Sequence, residues 1–227
     1  AFGLIVETED TESPDAPYRA LLAAQLDRGM FRGISFFTQL PLSIAFDDLG
    51  NLETLLLASD SLAAEAGSLA AVRSWVLGGG NLWVMLDKVS PDTVSMLLGD
   101  AFSCDVVDRV ALTRVLVESA FRSDLNGQAR DFDDPVDMVR VLVDDATVTH
   151  TVNGWPACFW RSLGRGRVFF TTVGARAWIR PRTDEDQLPE RSLIVAPYTA
   201  DQPLSQLAEQ LIETPVDASQ DLDENTP

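Results

Sequence analysis

At 227 residues with 46% hydrophobic content, the chain is long enough for one sizeable α/β domain plus a tail and too short for a second full domain. Seventeen basic residues against 35 acidic ones give a net charge of −18, which argues against a phosphate-tracking nucleic-acid partner and against anionic membrane surfaces. The excess is uneven: 11 acidic and 2 basic residues follow Arg180.

The chain opens on an apolar run, Ala1–Val6, that reads as a first strand. It lacks the basic-then-apolar arrangement of a signal peptide. Because it has no initiator methionine and starts inside an apolar run, it is expected to be a piece of a longer protein. Glu7–Pro17 is a polar loop. Tyr18–Arg28 places Leu21, Leu22 and Leu26 at helical spacing, and Ile34–Thr38 reads as a short strand beyond Gly29 and Gly33. Leu40–Gly50 is irregular. Thr54–Asp60 is an apolar run ending in an acid, Leu62–Leu77 has apolar positions three, four and seven apart, and Gly78-Gly79-Gly80 ends that helix. Asn81–Leu86 is then a buried strand, and the β-α-β unit implies a parallel sheet with a right-handed crossover. Ser90 and Pro91 start another helix and Gly99 stops it.

Beyond Cys104 the pattern turns to strands: Cys104–Ser119, Val136–Val143, Val148–Val152, Ala157–Arg161 and Val168–Val173. Asn153-Gly154 is a type I′ hairpin signal and Gly164-Arg165-Gly166 a second tight turn. Leu204–Ile212 is a short amphipathic helix, and Glu213–Pro227 is an acidic flexible tail or linker after a single domain over 1–212. No run reaches the ~18 apolar residues of a membrane helix. Cys104 and Cys158 fit no metal-ligand spacing and read as buried thiols, with a single disulfide as the other possibility.

The order of these elements, with Trp75-Val76, Gly79-Gly80, Leu82-Trp83-Val84 and the later Gly164-Arg165-Gly166-Arg167-Val168, resembles the class I glutamine amidotransferase-like superfamily. In particular it is similar to uncharacterised members built into bacterial membrane-anchored proteins. That resemblance implies a three-layer α/β fold with a parallel, flavodoxin-like or amidotransferase-like core and an antiparallel β extension. It also implies an extracytoplasmic or membrane-associated setting within a longer chain. The resemblance stops short of the chemistry. Glutaminases carry a cysteine in a glycine-flanked elbow after this strand, whereas Val84-Met85-Leu86-Asp87-Lys88 has neither residue. The histidine expected after a late strand is replaced by Gly174-Ala175-Arg176. No glutaminase triad and no ammonia release from glutamine are expected.

In a parallel sheet, ligands bind beyond the carboxyl ends of strands, which points to Asp60, Asp87 and Lys88 as ligand-binding candidates. The carboxylates would accept hydrogen bonds from a sugar or another polar ligand, and Lys88 would offer a cation. The competing reading is that Asp60 caps the following helix and Asp87-Lys88 is a solvated strand end. Asp131, Asp133, Asp134 and Asp137 lack the spacing of a calcium loop and read as a charged turn. His150, the single histidine, reads as a half-buried or surface side chain. The five tryptophans read mostly as core or edge packing, and an exposed pair such as Trp155 and Trp178 could instead stack on a carbohydrate face or fill a partner's pocket. No cofactor and no metal are indicated. The expected role is a non-catalytic binding or assembly module whose partner is another protein or the rest of a larger membrane-associated chain. The alternative is a hydrolase with a rewired site at the strand ends acting on a sugar or amide.

Overall fold

The computed structural model describes residues 2–6, 15–17, 19–20, 23, 37–39, 49–52, 54–99, 102, 104–120, 129–184 and 198–200. The predicted helix over 204–212 and the predicted tail over 213–227 lie outside these residues, as does most of the predicted helix over 18–28, of which Arg19, Ala20 and Ala23 are helical. The strands are β1 (Phe2–Val6), β2 (Phe37–Gln39), β3 (Thr54–Ala58), β4 (Asn81–Met85), β5 (Cys104–Val115) and β6 (Val117–Ser119). They continue with β7 (Arg130–Val143), β8 (Thr147–Val152), β9 (Trp155–Leu163), β10 (Gly166–Thr171), β11 (Ile179–Pro181) and β12 (Tyr198–Ala200). Among the described residues, two α-helices have both ends defined, α1 (Ala66–Leu77) and α2 (Pro91–Leu98).

Eight strands form one sheet in the order β2-β1-β3-β4-β10-β9-β8-β6. From β2 to β10 all neighbours are parallel. From β10 to β6 all are antiparallel. The expected three-layer parallel core, flavodoxin-like or amidotransferase-like with an antiparallel β extension, is thereby corrected to a single mixed sheet that is richer in strand than in helix. The cause is local. Asn153 (φ 50°) and Gly154 (φ 82°) supply the two positive φ values of a tight hairpin turn, and Gly164 (φ 61°) opens the next one. Turns this short can only join antiparallel neighbours, because a parallel pair needs a crossover of a dozen residues or more. The late strands therefore extend the sheet itself.

The parallel half follows from period-two burial. Leu55 and Leu57 of β3, Leu82 and Val84 of β4, and Val168 and Phe170 of β10 enter one apolar cluster with Val72 and Val76 of α1 and Val94 and Leu97 of α2. The intervening Leu56, Trp83, Met85 and Phe169 enter a second cluster on the opposite face. Phe102, Phe159 and Phe170 stack within the first, with Phe102 and Phe170 centroids 4.3 Å apart. Burying each such side chain contributes about 1.5–3 kcal/mol. The indole N–H of Trp83, wholly buried, donates to Thr171 Oγ1 at 3.0 Å. α2 begins as its sequence indicates: Ser90 Oγ accepts from the backbone N–H of Thr93 at 3.3 Å, Pro91 occupies the first turn, and Gly99 closes the helix at φ 62°.

β5 and β7 pair as a long antiparallel ribbon, from Cys104 opposite Val143 to Val115 opposite Arg130, with irregularities after Val106 and Leu112. Asp131, Asp133, Asp134 and Asp137 all lie in β7 with exposed side chains, so the expected charged turn is corrected to a strand. The backbone irregularity opposite Leu112–Arg114 takes up the acidic, proline-containing stretch that reads locally as a turn. The ribbon crosses the carboxyl end of β10. There the Val139 N–H donates to the Thr172 carbonyl at 2.8 Å and the Gly174 N–H to the Asp137 carbonyl at 2.9 Å.

Candidate functional site

The carboxyl ends of β3 and β4 carry the three residues singled out from the sequence, Asp60 after β3 and Asp87 and Lys88 after β4. Asp60 opens a 3-10 turn (Asp60–Ala64) whose cap is Ser59. Its Oδ1 accepts from the Ser90 backbone N–H at 2.8 Å and from Thr93 Oγ1 at 2.6 Å. The Asp60 carboxylate is thus committed to the N-terminus of α2, where it also meets the positive end of the helix.

Asp87 lies in the turn after β4. The residue is half-buried, yet its Oδ1 is sealed from solvent and has no hydrogen-bond partner among the described residues. Burial is the main cause that pushes its carboxyl up to about 6, with Asp137 adding to the rise while Lys88, the Asp87 backbone N–H and Arg109 oppose it. Lys88 is exposed beside it. Arg109, from β5, holds the turn itself: its guanidinium donates to the Asp87 carbonyl at 3.0 Å and to the Leu86 carbonyl at 3.3 Å.

Gly174 completes this corner. A methyl group added there would lie 3.5 Å from Asp87 Oδ2, 3.5 Å from Val136 Cγ1 and 3.7 Å from the Asp137 carbonyl oxygen. Sequence reasoning brought Asp87 and Lys88 together and missed Asp137, Arg109 and Gly174. These three arrive from the ribbon and from the segment after β10, at distances along the chain that no local pattern reports. Arg176, standing where the glutaminase histidine was sought, forks onto Asp15 and reaches Asp134 Oδ2 at 3.6 Å. It ties the ribbon to the chain near residue 15.

His150 is buried, not at the surface, and its Nδ1 lies 3.0 Å from Thr149 Oγ1, which donates to the Cys158 carbonyl at 3.2 Å. Both cysteines are free thiols. Burial pushes the Cys158 thiol up to about 12, and burial with Asp105 raises Cys104, so neither is poised as a nucleophile at neutral pH. Trp178 is wholly buried, its indole N–H donating to the Val173 carbonyl at 3.1 Å, and the Arg140 guanidinium lies 4.9 Å from the ring centroid of half-buried Trp155. The exposed tryptophan pair, the alternative to core packing, does not form, because Trp178 is wholly buried.

No family model matches the chain, and no curated protein matches it in sequence. Among solved structures it is similar to cytoplasmic protein STM1381 from Salmonella typhimurium LT2, at 12% identity and a TM-score of 0.52 over 75% of this chain and 86% of that one. It is also similar to cytoplasmic protein STM3548 from Salmonella typhimurium, at 15% identity and a TM-score of 0.51 over the same shares. A β-galactosidase from the haloarchaeon Halorubrum lacusprofundi matches 94% of this chain at 14% identity and a TM-score of 0.54. The chain spans 30% of that enzyme's length. At such identities the likeness shows the fold alone.

These neighbours correct the resemblance stated from the sequence: the fold is shared with two cytoplasmic proteins and with part of a glycosidase, not with class I glutamine amidotransferases. The membrane-associated setting that rested on it loses its support. Among the described residues no helix is long and apolar enough to cross a membrane.

Proposed function

We propose that the chain acts as a hydrolase on a sugar or an amide, with Asp87 as proton donor at the carboxyl end of β4. The observation that carries this reading is the Oδ1 of Asp87, sealed from solvent and without a hydrogen-bond partner among the described residues. A buried carboxyl without a partner lowers stability at neutral pH, and such groups cluster at functional sites. A carboxyl held near 6 keeps part of its protonated form close to neutrality, where it can deliver a proton to a leaving group. Position gives further support, since ligands of α/β sheets bind beyond the carboxyl ends of strands. Lys88, exposed next to Asp87, would steady a polar or anionic group of the ligand, and Asp60 would act only through α2. Sugar chemistry also draws support from the β-galactosidase among the similar structures, of which this chain spans under a third.

The test is turnover of aryl glycosides and aryl amides by the purified chain, by Asp87→Asn and by Gly174→Ala. Gly174 sits at φ −57° and ψ 154°, which alanine adopts freely, and the added methyl makes only ordinary contacts. That variant is expected to unfold at the wild-type temperature while its methyl, 3.5 Å from Asp87 Oδ2, occupies the approach to that oxygen and turnover falls. Wild-type protein without turnover on any probe would leave the non-catalytic binding or assembly module as the better account.

A further inference from the structure

Among the described residues β5 pairs with β7 and with no other strand, so its second edge is open along the 12 residues from Cys104 to Val115. Asp105, Val106 and Val107 are exposed in succession, which bares both faces of the strand as well as that edge. An open edge offers unpaired N–H and C=O groups to another strand, and proteins commonly close it with brevity, proline or lysine. β5 has none of the three. Its irregularities after Val106 and Leu112 leave Asp108–Leu112 regular between them. Apolar surface lies at the same place: Val106 (38% exposed), Val107 (48%) and Leu142 (56%), which sits across the ribbon from Asp105.

The charges on β5 select what covers it. Asp105 and Asp108 balance Arg109 and Arg114, so this strand is neutral in a chain of net charge −18. A second copy can approach along β5, although the chain as a whole repels it. Asp108 is held by Arg140, and Arg109 by the carbonyls of Leu86 and Asp87. Asp105 is left exposed at one end and Arg114 at the other, the latter only 3.9 Å from a solvated Asp131. We propose that β5 is the interface between two copies of this chain, paired antiparallel about a two-fold axis between Arg109 and Val110. That axis sets Asp105 opposite the partner's Arg114 twice over, and Val107 opposite the partner's Leu112. A slip of one residue either way would set Asp105 against Thr113 or Val115 instead. The contact closes on itself and joins the two ribbons into one four-stranded sheet. Main-chain hydrogen bonds and the covered valines supply the affinity, while the exposed ion pairs fix the register.

The experiment is sedimentation equilibrium of the whole chain over a range of concentrations, in about 0.15 M salt, where charges are screened beyond roughly 8 Å. The wild type is expected to double its mass as concentration rises. Asp105→Arg and Arg114→Asp, each alone, set like charges opposite one another twice and should raise the dissociation constant roughly tenfold or more. The double variant carrying both exchanges restores opposite charges and should recover the dimer. Val107→Glu places a carboxylate against the partner's Leu112 and should also weaken it. All these side chains are exposed in the single chain, so unfolding midpoints at high dilution should stay near wild type. A wild type that remains monomeric throughout overturns the proposal. A dimer that neither the charge exchanges nor Val107→Glu weakens overturns it too, because the contact then lies elsewhere. A dimer weakened by Val107→Glu but not recovered in the double variant overturns the register.

Discussion

Asp87 makes a stability prediction that needs no substrate. Its folded-state carboxyl titrates at about 6 against an ordinary value of 3.8. Between roughly pH 4 and 6 the folded chain therefore holds a proton that the unfolded chain has released. Stability falls as pH rises through that window and stays at the lower level above it, a loss of up to about 3 kcal/mol. Asp87→Asn has no such window. Thermal unfolding followed from pH 4 to 8 should show the variant several degrees more stable than wild type at pH 7.5, with the gap closing toward pH 4. A variant that is no more stable at pH 7.5 would mean that the carboxylate has a partner in the folded chain. Asp60 should behave in the opposite sense. Asp60→Ala removes two hydrogen bonds at the start of α2 and should lower stability by about 1–2 kcal/mol. Any activity of the chain should survive at the level set by its folded fraction, and a larger loss would bring Asp60 into the site.

Elements were legible where the chemistry that makes them is local. The β3-α1-β4 unit, the Ser90-Pro91 start and Gly99 stop of α2, and the Asn153-Gly154 hairpin all follow from residues within a few positions of one another. The mixed sheet was not legible, since which strand lies beside β10 depends on pairing across the whole chain. β7 was read too short because its first half is acidic and interrupted by Pro135, and its strand character comes from pairing with β5. The candidate site divides the same way: Asp87 and Lys88 could be found at a strand end, but Asp137 and Gly174 meet them only because the ribbon crosses β10. One glycine shows how tightly elements must approach. A methyl group at Gly166 would fall 2.1 Å from the Val76 carbonyl oxygen and 2.3 Å from that of Gly80. These are backbone atoms of α1 and of the turn after it, and they cannot rotate away. Gly166→Ala should therefore cost roughly 3 kcal/mol or more, read as a lowered unfolding midpoint or loss of folded protein. A stable Gly166→Ala would show that α1 can slide off β10.

Over the whole molecule the balance of charge sets a further expectation. Arginines are spent in pairs that fasten separate parts of the chain: Arg140 forks onto Asp108 across the ribbon, Arg161 meets Asp145 at 2.7 Å, and Arg176 joins Asp15 to Asp134. Seventeen basic residues cannot offset 35 acidic ones, so the folded chain concentrates unbalanced negative charge that unfolding would spread out. Raising sodium chloride from about 0.01 M to about 1 M shortens the screening length from roughly 30 Å to roughly 3 Å. Repulsion is long-ranged and is screened first, whereas close, partly buried pairs are screened less. The unfolding midpoint should consequently rise with salt. Asp87→Asn should rise in parallel with wild type, because the cost of sealing its carboxyl is desolvation, which salt leaves in place. A midpoint that falls with salt would mean that the arginine pairs contribute more to the fold than the net charge takes away.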